Sequence, residues 1–387
     1  MATRRKILAL GLCWLAWIWL VAILAGRLTP WLSGPHGWPD DMDRRVTPLT
    51  RWDSGWYLSI AAGGYQPPPS KVGEETNHAF FPLYPALMRL LARTTRLETS
   101  RAGNLISAAA FLGALLLFAD WLRLHFEESR VTPALLALVF FPTSFFFAAV
   151  YTESLLLFLA LAAVLALEKD RPLLSLLAGF LSGLTRVSCV VLAPYLALVS
   201  LRKDKQNGVP LSRALPRAVL FGASPLAGFG LFCVYFWTRF GDPLLFVKAQ
   251  HNWSREPKTI FQGPLLILDT AITDITTGRI FHKSPARTLE GFLLLLFVYL
   301  GYRLFRERLR PEAVYVLLTA GIVLTSGTLE SAGRYVLPAF PAFAILGGLA
   351  GSSVASVRRR LALIALGLCA VTQAVYVWLF VNWLWVG

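Results

Sequence analysis

Apolar segments long enough to cross a membrane recur from one end of this 387-residue chain to the other, separated by short clusters of arginine and lysine. Lipid offers backbone amides and carbonyls no hydrogen-bond partner, so segments of this kind fold as helices that satisfy their own backbone. The composition agrees: the chain is 56% hydrophobic and 15% charged, with a mean hydropathy of +0.58. Soluble domains run nearer about 45–50% apolar and about 25% charged. The deficit of charge extends along the whole chain, which excludes a soluble domain on a single anchor, a disordered chain and a secreted disulfide scaffold. The expected fold class is an all-α polytopic membrane protein.

About eleven spans are expected when each takes roughly 17–25 apolar residues, or fewer where neighbours shelter a short one. They fall at 7–28, 102–122, 132–147, 155–167, 172–184, 187–201, 216–238, 289–304, 312–325, 335–353 and 361–385. Segment 7–28 follows Arg4, Arg5 and Lys6 but is long enough to span and lacks a small-residue cleavage site, so it reads as a first transmembrane helix rather than a signal peptide. Alternate connections hold nineteen of the 37 basic residues against eight acidic ones. Cytoplasmic loops are enriched in Lys and Arg, so these connections and the N-terminus are assigned to the cytoplasm. Most of the +15 formal charge is thus a topology signal and implies no nucleic-acid partner; the partner of the surface is the lipid bilayer.

The chain, 1–387, reads as one transmembrane domain with two long non-cytoplasmic loops, 29–101 and 239–288, both rich in aromatic residues. Loops of this length in a compact protein are usually functional. Within the first, the apolar segment 80–91 reads as a helix on the membrane surface, with a true span as the alternative. Cys13, Cys189, Cys233 and Cys369 lie in apolar runs without CxxC spacing and read as small core residues.

The densest group of chemically capable side chains is Arg51-Trp52-Asp53-Ser54-Gly55-Trp56-Tyr57, followed by His78, Phe81 and Tyr84 in the segment HAFFPLYP. Asp53 stands just before a short expected helix, 54–62, so it is either that helix's N-cap or a functional carboxylate. Tyr151 and Glu153 border another span; a carboxylate there is functional unless it merely caps the helix. Arg186 in GLTR and Arg334 in SAGRY, next to Tyr335, sit at outer span ends, where a guanidinium can grip an anionic headgroup with two prongs or simply snorkel to lipid. Lys248, His251 and Trp253 form a polar aromatic stretch in the second loop that could cover a site. No phosphate-binding glycine loop precedes a helix, and the five histidines are too scattered to form a metal cluster, so no metal and no cofactor are expected.

Taken in order, RWDSGWY, HAFFPLYP, FPTSFFFAAVYTES, GLTR, FGDPLLFVKAQ and SAGRYVLPAFP resemble the PIG-V family, which comprises the second mannosyltransferase of glycosylphosphatidylinositol synthesis and its prokaryotic relatives. The resemblance implies a GT-C glycosyltransferase, a transmembrane helix bundle whose site on the non-cytoplasmic face is built largely by the first long loop. It implies a polyprenyl-phosphate sugar donor, usually mannose, and a glycolipid acceptor. It also implies a multi-pass protein in the plasma membrane of a prokaryote, or in the endoplasmic reticulum membrane of a eukaryote. The family's Trp-Asp motif falls on Trp52 and Asp53, its Phe-Phe-Pro segment on Phe80 to Pro82, and its Tyr-x-Glu segment on Tyr151 to Glu153. After Arg186 the eukaryotic enzymes tend to continue with Ser-Asn-Gly, whereas Val187-Ser188-Cys189 follows here, which leaves the acceptor open.

A compatible mechanism follows from the residues. An acceptor hydroxyl needs a base, for which Asp53 is the candidate, and the departing phosphate needs a fixed cation, for which Arg334 or Arg186 serves. Glu153 would orient the acceptor or a basic partner. The competing class is a lipid or glycolipid transporter or flippase, which predicts charges at several depths of the spans rather than at one face.

Overall fold

The computed structural model describes residues 2–29, 47–68, 75–251, 285–326, 328–349 and 356–386, together with scattered positions between 262 and 277. Among the described residues all regular structure is helical. In chain order the helices that matter here are α1 (Arg4–Leu28), α2 (Ser54–Gly63), α3 (Leu83–Thr95), α4 (Thr99–His125), α5 (Glu128–Val139), α6 (Glu153–Glu168), α7 (Pro172–Gly183) and α8 (Leu192–Gln206). They continue with α9 (Leu211–Phe240), α10 (Leu245–His251), α11 (Pro285–Arg306), α12 (Arg310–Leu324), α13 (Ala332–Tyr335), α14 (Pro341–Gly348) and α15 (Ser356–Val381).

Among the described residues four helices are long and apolar enough to cross a membrane: α1, α4, α9 and the 359–381 part of α15. Helix length alone thus supports four of the about eleven expected spans. Most of the remaining expected spans fall on helices of 12–16 residues, such as α5 to α8. At 1.5 Å per residue these extend only about 18–24 Å, short of a hydrocarbon core of about 30 Å. Proline marks the largest departures. The expected span 132–147 ends as a helix at Val139, just before Pro142, and its remainder is a 3₁₀ turn, Ser144–Phe147. The expected span 335–353 is divided into α13 and α14, with Pro338 between them and Pro341 opening the second. Neither break exposes backbone to lipid, because Phe145, Phe146, Val336 and Phe340 are all fully buried. Helix α3, which covers most of the segment 80–91, has 13 residues. It buries Tyr84, Pro85 and Met88 while Leu90 and Arg93 stay exposed.

Each helix of the core presents a buried stripe to a neighbour: α4 packs on α6, α6 on α7, α9 on α7 and α8, and α11 on α12. Where α7 crosses α9 the backbones touch. A Cβ on Gly183 would collide with the carbonyl of Pro225, and one on Gly228 with that of Phe180, so both positions require glycine. This close crossing places the residues after Gly183, including Arg186, against the rest of the bundle. The start of α6, the ends of α7 and α12, and α13 gather at one end of the molecule, next to α2.

Candidate active site

The segment before α2 is fixed in an unusual conformation. Trp52 has a left-handed backbone, φ 56°, which a side chain as large as tryptophan adopts only when its surroundings impose it. Several bonds do so. The guanidinium of Arg51 donates from Nε to the carbonyl of Val381 at 3.2 Å and from Nη1 to those of Thr47 and Thr50 at 3.2 and 2.9 Å, and it stacks on Trp383. Tyr151 Oη donates to the carbonyl of Arg51 at 3.2 Å, and the amide of Val150 donates to that of Leu49. Arg51, expected to bind substrate, is thus the anchor of the strained turn.

The turn aims Asp53 away from the helix it precedes. No first-turn amide of α2 donates to its side chain; instead Asp53 Oδ2 accepts from Arg334 Nη1 at 2.8 Å. The capping reading of Asp53 fails on this geometry. Glu153, in the first turn of α6 and fully buried, pairs with Arg186 Nη1 and lies 3.4 Å from Arg334 Nε. Neither arginine snorkels: side-chain exposure is 4% for Arg334 and 12% for Arg186, against 19% for Asp53. Two carboxylates and two guanidiniums form a chain of alternating charge, Asp53–Arg334–Glu153–Arg186, neutral as a whole. Buried ions persist only when paired in this way. Aromatic rings pack the flat faces of the cations: Tyr335 lies 4.0 Å from Arg186, and Tyr151, Phe146, Tyr335 and Trp385 lie 5.1–5.5 Å from Arg334.

This chain of charges borders a cavity of about 250 Å³, lined among others by Trp52, Asp53, Tyr57, Phe81, Arg186, Arg334 and Tyr335. The residues singled out from sequence thus converge on one space, although they come from segments nearly 300 positions apart in the chain. The remaining candidates take other places. Trp56 stacks on Phe80, a cavity residue, at 6.0 Å. Tyr84 is buried beneath the site, its hydroxyl donating to the carbonyl of Gly103 and sharing a bond with Ser107. His78 is fully buried between Thr76 Oγ1 on Nδ1 and the carbonyl of Gln66 on Nε2, packed on Phe236 and Phe240. Burial holds its pKa below the usual histidine value. Lys248 is largely exposed and paired with Asp242 at 2.6 Å. The side chain of His251 and all of Trp253 lie outside the described residues.

Sequence reasoning missed Glu330, Gln250, Thr185 and Trp385, which also line the cavity. Trp385 sits in the apolar tail of the expected last span and carries no chemical signal of its own; Glu330 was hidden in the short connection before SAGRY. Glu330 adds a carboxylate to the wall. Among the described residues, the one group of acidic and histidine side chains close enough to suggest a metal, His125, Glu168 and Glu312, lies at the opposite end of the bundle, with Arg202 inserted between its carboxylates.

The molecule is thus a helical membrane bundle with a buried ionic cluster at one end that opens on a cavity. The sequence profile of the family described as Mannosyltransferase (PIG-V) matches residues 28–233, more than half of the chain, and the chain belongs to that family. GPI mannosyltransferase 2 of Drosophila pseudoobscura pseudoobscura is 28% identical over 155 residues, 36% of this chain and 33% of that protein, so the match spans about a third of the relative's length. The oligosaccharyltransferase of Archaeoglobus fulgidus in its apo form superposes with a TM-score of 0.51 at 14% identity, over 97% of this chain and 56% of that one. Its complex with zinc and sulfate gives 0.50 at 15% identity, over 96% and 53%. At such identities the likeness is one of fold alone.

Proposed function

We propose that this protein transfers a mannosyl residue from a polyprenyl-phosphate donor to the hydroxyl of a lipid-linked or glycolipid acceptor at the non-cytoplasmic face of its membrane. The observation that carries the reading is the pairing of Asp53 with Arg334 on the wall of the cavity. It sets a base and a fixed cation side by side, as displacement of a phosphate by an alcohol requires.

In this reaction the acceptor oxygen bonds to the anomeric carbon, the bond from that carbon to the donor phosphate oxygen breaks, and the acceptor proton passes to the Asp53 carboxylate. The leaving phosphate gains negative charge, which Arg334 and Arg186 stabilise; both guanidiniums are already desolvated and oriented, so little reorganisation is needed when the charge appears. Glu153 holds both cations in place. The donor's own lipid remains in the bilayer, consistent with a sequence that carries no nucleotide-binding glycine loop. A transporter is disfavoured because charged side chains of the bundle lie near helix ends rather than along a path through helix centres, as on α1, α4 and α6.

The test is incubation of the purified protein with radiolabelled polyprenyl-phosphate mannose and a membrane lipid extract. A new labelled glycolipid is expected. Label that only crosses between leaflets of a proteoliposome, unchanged in chemistry, would overturn the reading in favour of the flippase. The face is tested separately with single cysteines at Thr95, at the site end, and at Asn207, at the other end, in a background lacking the native cysteines. An impermeant thiol reagent should label the first and spare the second in intact cells; the reverse pattern would invert the topology.

A further inference from the structure

Arg334 and Glu330 reach the cavity from a turn that should not hold its shape unaided. Helix α13 is a single turn of four residues, Ala332–Tyr335, and Ser331 before it is left-handed, with φ 68° and ψ 12°. A non-glycine residue in that region is strained and persists only where its surroundings over-determine it. Ser331 is 1% exposed, so water contributes nothing to the restraint.

Part of the restraint is local, the Ala332 amide donating to the carbonyl of Leu329 at 3.1 Å, and part comes from α11, one layer behind the cavity. Glu290 is 1% exposed, and its Oε2 accepts from the amide of Ala332, the first of α13, at 3.2 Å. Its Oε1 is buried without a hydrogen-bond partner. Leu293, on the same face of α11, packs against Gly333, where an added Cβ would stand 3.2 Å from its Cδ1. From the other side Thr143 Oγ1 donates to the carbonyl of Gly333 at 2.8 Å. Glu290 does not line the cavity, so it has no part in the chemistry itself. A buried carboxylate serving one amide is costly where an apolar side chain would pack freely. The anchoring of this turn is what sets against that cost.

We propose that Glu290 is a positioning residue: it holds the Ser331–Ala332 turn in its left-handed form and thereby sets Glu330 and Arg334 on the cavity wall. The inference rests on the transferase reading above for its kinetic test and on geometry alone for its second test. Three variants separate the role from simple stability. Glu290→Leu keeps the volume and removes the acceptor; kcat should fall by about 10- to 100-fold, the scale for misplacing a catalytic group by about 1 Å, with KM for lipid-linked mannose changed by no more than about two-fold. Glu290→Gln keeps an acceptor oxygen for the Ala332 amide and should retain most of the rate. Adding Ser331→Gly to Glu290→Leu should restore several-fold of the lost rate, because glycine holds a positive φ without the anchor.

The second test needs no turnover. A single cysteine introduced as Glu330→Cys should react with a charged thiol reagent at a rate that changes several-fold with Glu290→Leu and returns with Glu290→Gln. A Glu290→Leu protein with wild-type kcat and unchanged thiol reactivity, or a Glu290→Gln protein as impaired as Glu290→Leu, would overturn the proposal. If the wild type transfers no mannose, the transferase reading falls and the thiol rates alone decide the role of Glu290.

Discussion

The bundle carries a buried ionic cluster at each end, and the two are built differently. At the far end Arg202 donates from Nη1 to both oxygens of Glu312, at 2.8 and 3.0 Å, and from Nη2 to Glu168 Oε1 at 2.7 Å, while His125 Nε2 meets the same Glu168 oxygen at 2.9 Å. These residues come from the ends of α4, α6 and α8 and the start of α12, and they tie those helices together. In the other cluster Arg334 and Arg186 share their carboxylates edge to edge, their faces are packed by aromatic rings, and Asp53 opens on the cavity. Left-handed non-glycine residues flank both clusters: Trp52 and Ser331 stand close before Asp53 and Arg334, and Asp170 and Arg308 stand close to Glu168 and Glu312. Buried charge therefore marks a cross-link in both places. The cavity that Asp53, Arg186 and Arg334 line together distinguishes the end where chemistry is expected.

The largest expected effect tests the open member of the site cluster. Asp53→Asn is nearly isosteric and removes the base, and since the carboxylate caps no helix, no structural bond within α2 is lost. Arg334 keeps Glu153 as a partner. The variant should accumulate in the membrane while its turnover falls by roughly 100-fold or more, as for the loss of a general base. Substantial transfer by a folded Asp53→Asn protein would move the base to Glu153.

Next in size is a matched pair of substitutions. Arg334→Lys keeps the charge but cannot bridge Asp53 and Glu153 with a planar fork, and turnover should drop by about ten-fold or more. Arg202→Lys makes the same chemical change in the far cluster, where it should leave turnover per folded molecule unaltered. There it should lower stability by roughly 1–3 kcal/mol through lost charge-assisted bonds, read as a lower midpoint of thermal aggregation. Equal losses of turnover in the two variants would erase the distinction between the ends.

Much of this distinction is legible in the sequence alone. Asp53, Glu153, Arg186 and Arg334 stood out because each is an ionisable residue at the same end of an apolar segment, and hydropathy parity alone brings such ends to one face. Their pairing was not legible, since Asp53 before a helix looks like a cap whether or not its side chain turns back. Arg51 and His78 were identified as polar groups among aromatics, but nothing in their neighbours shows that one is spent on backbone carbonyls and the other on Thr76 and Gln66. Helix lengths were misread where proline and 3₁₀ turns interrupt buried apolar runs, because hydropathy registers burial in protein and burial in lipid alike. Glu290 lies at the edge of the expected span 289–304, and only the left-handed turn at Ser331 gives it a task.

A smaller effect concerns the site end without its ion pairs. His78 is held neutral by burial, with a pKa below its unfolded value of about 6.5. A depressed histidine makes the unfolded state bind more protons, so its contribution to stability is complete above about pH 6.5 and fades as pH falls toward the folded-state pKa. Proteolysis of the segment around His78 should therefore accelerate between about pH 7 and pH 5 in the wild type, and the acceleration should be absent in His78→Phe. An identical acid response in both proteins would assign the sensitivity to another group.

The smallest effect is expected at Lys248, and it sets the boundary of the cluster. Its side chain is 71% exposed and its partner Asp242 is at the surface, where such pairs contribute at most about 1 kcal/mol. Gln250, two residues on in the same short helix α10, lines the cavity. Residues two apart on a helix do not share a face, so the position that brings Gln250 to the cavity turns Lys248 from it. Lys248→Ala should change kcat/KM by less than about two-fold, whereas Gln250→Ala should raise KM for the lipid donor without touching the charge pairs. A ten-fold loss in Lys248→Ala would mean that α10 rotates onto the cavity when substrate is bound, and the positive side of the site would then include a third cation beyond Arg186 and Arg334.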